Sequence, residues 1–232
     1  MKIQDKIKLK KKVMILGSSY NTLKDAPLDN EDYTVIALSA FQTKRVDLYF
    51  EMHDKKVWRK GTNDYLYSCN KPVICQKQYG DLPKSIEFPF VECFDAISLN
   101  YYTSSIAYIL AFIFLYNEVE EVSLYGIDLT DDEEYQNQRP CAEYLLGLLQ
   151  GKGIKIVIPD KSALLKSSFL YGYQQKQEQF LNLKYFEDRQ RKLLQERKEV
   201  QAYIKQLEGS IKENEQHIAN YKKIERGGSF LE

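Results

Sequence analysis

The sequence predicts an α/β fold, a mostly parallel sheet flanked by helices, followed by a long C-terminal coiled-coil helix. Three observations carry this. Short runs rich in Val, Ile and Tyr recur before residue 173, each bounded by Gly, Pro or Asp, as strands are. Stretches of helical periodicity stand between them, and such alternation marks a parallel sheet. From residue 174 onward glycine and proline nearly vanish, and apolar residues fall into a seven-residue rhythm.

The expected strands are, in order, "KVMILG" (12–17), "YTVIAL" (33–38), "VDLYFEM" (46–52), "KPVICQ" (71–76), "EVSLYGI" (121–127) and "IKIVIP" (154–159). Several are almost continuously apolar, as strands covered on both faces are. Residues 103–117 are apolar nearly all round and read as a buried helix. Residues 138–151 place Cys141, Tyr144, Leu145, Leu148 and Leu149 at helical spacing.

In the C-terminal segment the seam pairs Leu183 with Phe186, Gln190 with Leu193, Arg197 with Val200, Ile204 with Leu207, Ile211 with Asn214 and Ile218 with Tyr221. Alternating steps of three and four residues make a left-handed coiled coil, so homo-oligomerisation through residues 183–221 is expected. Gln190, Arg197 and Asn214 would fix its register. The domain plan is therefore 1–173 for the α/β domain, 174–226 for the coiled coil, and 227–232 ("GSFLE" and the glycine before it) as a disordered tail.

Composition excludes several classes. The 33 basic and 33 acidic residues cancel, so no global field favours nucleic acid or an anionic membrane. The basic arm "KIKLKKK" (6–12) reads as a solvated lead-in to the first strand. No run approaches the ~20 apolar residues of a membrane span, and the N-terminus lacks the apolar core of a signal peptide. Four cysteines show no CxxC pair, as expected of reduced thiols in a cytoplasmic protein. Two histidines exclude a His-rich metal site.

Polar residues gather where the expected strands end, and in an open α/β sheet a ligand binds there. The first strand runs into "LGSSYNTL" (16–23), where Gly17 lets the backbone approach a ligand and Ser18, Ser19 and Asn21 supply polar groups. Neither GxGxxG nor a Walker lysine is present. Ser39 closes the second strand, either as a helix cap or against a ribose or base. His53 and Asp54 close the third; a histidine there can bind phosphate or act as a general base. Thr103, Ser104 and Ser105 precede the buried helix, where hydroxyls and free N–H groups suit an anion. Asp128 ends the fifth strand, followed by an acidic loop with Glu134 and Tyr135, then Gln138 and Arg139. Asp128 can bind a ribose hydroxyl, coordinate Mg²⁺ or act as a base. Arg139 offers a planar donor fork for phosphate.

The combination "LGSSYNTL … TVIALSAF … YYTSSIAYILAFIFLYNEVEEVSLYGIDL … IPDKSALL" resembles the bacterial lipooligosaccharide sialyltransferases. It is also similar to the related motility-accessory-factor and hydroxymethylpterin-pyrophosphokinase-like proteins. The similarity is strongest to phage-encoded members of this Rossmann-like superfamily, in which strings like "FEMHD", "EYQNQRP" and "LYGY" recur. It covers residues 12–173. The resemblance implies a nucleotide-sugar site at Gly17, Ser18 and Asn21, at Ser39, and at Thr103, Ser104 and Ser105. The family's first loop reads Gly-Asn-Gly-Pro-Ser where this chain has Gly-Ser-Ser-Tyr-Asn. Its catalytic histidine follows the Gly-Ile-Asp strand, where this chain has none, which leaves His53 as the candidate base.

The expected function is binding of a nucleotide or nucleotide sugar by a glycosyltransferase-like transferase. His53, Asp128 and Arg139 are the catalytic candidates, and Gly17, Ser18, Ser19, Asn21, Ser39, Asp54, Thr103, Ser104, Ser105, Glu134, Tyr135 and Gln138 the binding ones. Alternatives are a Mg²⁺-dependent, pyrophosphokinase-like transfer from ATP and a non-catalytic nucleotide-binding or assembly protein.

Overall fold

The apolar runs become the strands of one seven-stranded sheet in the order β5-β4-β3-β2-β1-β6-β7. They are β1 Lys12–Leu16, β2 Tyr33–Leu38, β3 Leu48–Glu51, β4 Val73–Cys75, β5 Ser85–Glu87, β6 Glu121–Tyr125 and β7 Lys155–Val157. Every adjacent pair is parallel. The computed structural model describes residues 2–38, 45–58, 64–129, 133–167, 170–173 and 183–225, side chains of 133–135, 183–185 and 223–225 excepted.

The helices are α1 Ile3–Lys6, α2 Tyr20–Leu23, α3 Tyr65–Ser68, α4 Phe90–Ile97, α5 Ser105–Phe114, α6 Glu133–Gly151 and α7 Leu183–Glu225. Among the described residues no helix is long and apolar enough to cross a membrane. The chain divides into two compact units, residues 1–167 and 168–232. The first holds the sheet and α1–α6; the second holds α7.

Side-chain alternation splits the sheet between two apolar cores, which is why its strands read as continuous apolar runs. Val13 and Ile15 of β1, Ile36 of β2, Leu48 and Phe50 of β3 and Ile74 of β4 face the core covered by α4, α5 and α6. Met14, Leu16, Val35, Tyr49, Val73 and Cys75 face the other core, with Leu66 and Leu82. Helix α5 is the keystone of the first core. Ile109, Leu110, Phe112 and Ile113 are fully buried, and Phe112 meets Phe50 edge-on at 5.4 Å. Truncating an aromatic so placed typically costs about 3–5 kcal/mol.

Helices α1, α3 and α4 were not expected from the sequence, and two further elements differ from the expectation. Strand β5 is an additional edge strand whose three residues carry a single apolar side chain, so no apolar run marks it. Helix α6 begins at Glu133 rather than at 138 and runs through Pro140. A proline inside a helix removes one hydrogen bond, but Cys141, Ala142, Leu145, Leu146 and Leu149 are buried on this helix, and that burial outweighs the loss.

The order of the strands fixes where a ligand can sit. From β1 the chain steps outward through β2, β3, β4 and β5, then returns to place β6 on the other side of β1. The connections leaving the carboxyl ends of β1 and β6 therefore diverge and open a crevice between them.

Candidate functional site

A cavity of about 640 Å³ occupies that crevice. Its walls come from the turns after β1 (Gly17, Ser18, Ser19), β3 (Met52, His53) and β6 (Gly126 to Leu129), from the start of α5 (Thr103 to Ile106), and from Gln138 of α6. Stacked Tyr102 and Tyr108, with centroids 4.8 Å apart, add an aromatic wall.

The floor is built by two glycines. The Gly17 N–H donates to the Tyr125 carbonyl at 2.8 Å and the Ser19 N–H to the Gly126 carbonyl at 2.9 Å. This contact carries the β1–β6 ladder into the turns. Gly126 has φ +71°, which residues with a Cβ rarely adopt.

Asp128 clasps the two turns together. Its carboxylate accepts from the Ser19 hydroxyl and from the Thr22 hydroxyl at 3.4 Å. The Thr22 oxygen in turn accepts from the Gly126 N–H at 2.8 Å. Asp128 lines the cavity, but these bonds give its carboxylate a positioning task beyond any contact with a ligand.

At the next strand end, β3 delivers a histidine held by a buried carboxylate. Glu51, the last residue of β3, is 2% exposed. Its Oε1 accepts from the His53 backbone N–H at 3.0 Å and lies 2.6 Å from His53 Nδ1. A carboxylate can only accept, so Nδ1 carries the proton and Nε2 is left as the basic nitrogen. The His53 side chain is 65% exposed and lines the cavity. Tryptophan Trp58 fixes the backbone behind it, donating from Nε1 to the His53 carbonyl at 3.1 Å. Beside Glu51 on the neighbouring strand β4, the Cys75 thiol is pushed up to about 12, first by burial and then by the Glu51 charge.

The third wall is the N-terminus of α5. Ser104 caps it, its side chain accepting from the Ala107 N–H at 3.3 Å. The first N–H groups of a helix have no acceptor within it, and Ser105 and Ile106, which carry them here, both line the cavity. With the helix dipole this end attracts an anion.

The structure brings together Gly17, Ser18, Ser19, His53, Thr103, Ser104, Ser105, Asp128 and Gln138 from the sequence expectation. Three expected residues do not line the cavity. Asn21 is exposed on α2. Asp54 caps the 3₁₀ turn Lys55–Val57, accepting from the Lys56 N–H at 2.9 Å. Arg139 pairs with Glu143 at 2.8 Å and donates to the carbonyls of Ala163 and Lys166. One residue along a helix is a rotation of about 100°, so α6 turns Gln138 to the crevice and Arg139 to the loop after β7. Ser39 and the side chains of Glu134 and Tyr135 lie outside the described residues. Among the described residues no group of three or more His, Cys, Asp or Glu could hold a metal ion.

Sequence reasoning missed Glu51. The signal was there in "LYFEMHD": a carboxylate inside an apolar strand is buried by its phase, and a buried carboxylate needs a partner.

No family model matches the chain, and no curated protein matches it. Among solved structures, the chain is similar to the sialyltransferase CstII from Campylobacter jejuni in complex with a substrate analogue, cytidine-5′-monophosphate. The TM-score is 0.44 and the identity 19%, over 68% of this chain and 88% of that one. A structure of a CST-II variant in complex with CMP gives a TM-score of 0.43 and 17% identity, over 68% and 89%. Neither likeness assigns a role to a residue of this chain.

Proposed function

We propose that the crevice between the ends of β1 and β6 binds a nucleotide or nucleotide sugar, and that the protein is a glycosyltransferase-like transferase. The observation that carries this is the pairing, on one cavity, of a helix N-terminus with a histidine held by a buried glutamate. The first is suited to a phosphate. The second is suited to taking a proton.

In this reading the phosphate lies against Ser105 and Ile106 at the start of α5, with the Gly17 turn approaching it from the other side. The aromatic wall of Tyr102 and Tyr108 and the polar groups of Ser18, Thr103 and Gln138 bracket the rest of the ligand. His53 Nε2 takes the proton from an acceptor hydroxyl as its oxygen bonds to the anomeric carbon. The bond from that carbon to the phosphate oxygen breaks, and the phosphate leaves with the electron pair. Glu51 holds the ring and stabilises the imidazolium that forms, while the α5 N-terminus stabilises the departing anion. Asp128 keeps the β1 and β6 turns in place.

We further infer that the chain self-associates through residues 183–221. The described apolar residues of that seam, from Phe186 to Tyr221, stand exposed on α7. The four cysteines are free, which suits a cytoplasmic protein.

Turnover of nucleotide sugars by the full chain tests the transferase reading. His53→Ala lowers kcat by about 10²–10⁴-fold, the usual worth of a general base. Glu51→Gln lowers kcat, because the ring loses the carboxylate that fixes its tautomer and orientation. Unchanged rates in both variants overturn the assignment of the base.

A further inference from the structure

Helix α7 is one continuous helix over Leu183–Glu225. Six apolar residues of its seam, Leu193, Val200, Ile204, Leu207, Ile211 and Ile218, remain 43–58% exposed. Resting on the self-association inferred above, what remains is how a second copy meets this seam. The polar residues in the seam decide it.

Gln190, Arg197 and Asn214 interrupt an otherwise apolar line, and Arg197 and Asn214 stand symmetrically about the midpoint between Lys205 and Gln206. Reflection about that point, which is what an antiparallel partner performs, sends Arg197 to Asn214 and Gln190 to Tyr221. It sends Leu193 to Ile218, Val200 to Ile211 and Ile204 to Leu207. Between residues 190 and 221 each aliphatic position then meets an aliphatic one, and each polar position meets a group it can hydrogen-bond, while Leu183 and Phe186 fall outside this overlap. The Arg197 guanidinium finds an amide oxygen rather than another charge.

The parallel arrangement does the opposite. In register, each residue faces its own copy, so Arg197 meets Arg197 across a seam that excludes water, where like charges repel most. The flanking positions agree. Antiparallel packing sets Glu187 beside Lys222 and Glu196 beside His217 of the second copy; parallel packing sets His217 beside Lys222. Gly209 lies outside the seam in both, and a Cβ there would touch nothing.

We propose that α7 forms an antiparallel two-stranded coiled coil with a second copy of this chain, its two-fold axis passing between Lys205 and Gln206. Charge complementarity at the seam selects the orientation, as buried polar positions and flanking charges do in coiled coils generally.

The full chain tests this in two ways. Sedimentation equilibrium should give a dimer of the 27.2 kDa chain; a monomer overturns the self-association reading itself, and a trimer overturns the antiparallel pairing alone. Asn214→Glu then separates the orientations by sign. In the antiparallel coil it places a carboxylate opposite each Arg197, tightening the dimer by about tenfold at low salt and less so as salt rises. In a parallel coil it places carboxylate against carboxylate and loosens the dimer, which contradicts the proposal. Cysteine pairing gives a second readout. Chains carrying Leu193→Cys mixed with chains carrying Ile218→Cys should form mixed disulfides, located by peptide mapping. Leu193→Cys alone should form none with its own copy, about 37 Å away along the coil at ~1.5 Å per residue. Ready Leu193→Cys self-pairing overturns the orientation while leaving the dimer standing.

Discussion

Gly17 and Gly126 touch backbone to backbone at the base of the crevice. A Cβ built on Gly17 would lie 2.3 Å from the Gly126 carbonyl oxygen, and one on Gly126 would lie 2.5 Å from the Gly17 oxygen. Both obstacles are backbone atoms, so no rotamer change relieves them.

Gly17→Ala and Gly126→Ala should therefore each cost stability, about 1–3 kcal/mol from overpacking alone. Gly126→Ala should cost more, because φ +71° adds backbone strain. Gly147→Ala is the control. It sits inside α6 with open space around its Cβ, and should gain up to about 1 kcal/mol. Urea midpoints of the three variants check the order. Gly17→Ala as stable as the parent would contradict the close approach.

Asp128→Asn tests the clasp. The amide keeps the size but gives up the charge that the Ser19 and Thr22 hydroxyls point toward, and a hydrogen bond to a charged group is worth about 1.5–3 kcal/mol. The variant should lose stability of that order with no ligand present. A carboxylate that served only a ligand would leave the apo midpoint unchanged.

At the opposite end of the sheet, Glu121 accepts from the Tyr33 hydroxyl at 2.6 Å and pairs with Lys155 at 2.8 Å. Its pKa is held below the ordinary 4.5 by Lys155 first and then by Tyr33. A depressed folded pKa contributes stability that is present above 4.5 and is lost as pH falls through the folded value. Tyr33 is raised above 10.0, by burial first and then by Glu121. Its contribution is complete below 10.0 and is lost as pH rises through its folded pKa. Glu121→Gln should flatten the acid limb of the stability profile, read from denaturant midpoints at stepped pH. An acid limb identical in parent and variant would remove Glu121 from the account.

Much of this was legible in the sequence, for physical reasons that also mark the boundary. A parallel sheet buried on both faces writes its strands as apolar runs, and six of the seven were readable. Ser85–Glu87 was not, because three residues with one apolar side chain carry no period. Strand ends are where α/β folds bind, so Gly17, His53, Thr103–Ser105 and Asp128 could be named before any geometry. Side-chain direction could not. Gln138 and Arg139 differ by a single helical step, and only the packing of Cys141, Leu145 and Leu149 decides which of them faces the crevice. Glu51 was hidden among apolar neighbours whose burial it shares.

The most direct test of the central claim is a thermal-shift titration of the full chain with CMP-, UDP-, GDP- and dTDP-sugars and with ATP, with and without Mg²⁺. A ligand at about 100 times its dissociation constant stabilises the fold by about 2.7 kcal/mol. The expected result is a rise with one nucleotide-sugar family, independent of Mg²⁺ and abolished when Ser105→Pro removes an N–H from the start of α5, where proline is otherwise tolerated. A flat response across the panel from well-folded protein, or a shift that survives Ser105→Pro unchanged, would contradict it.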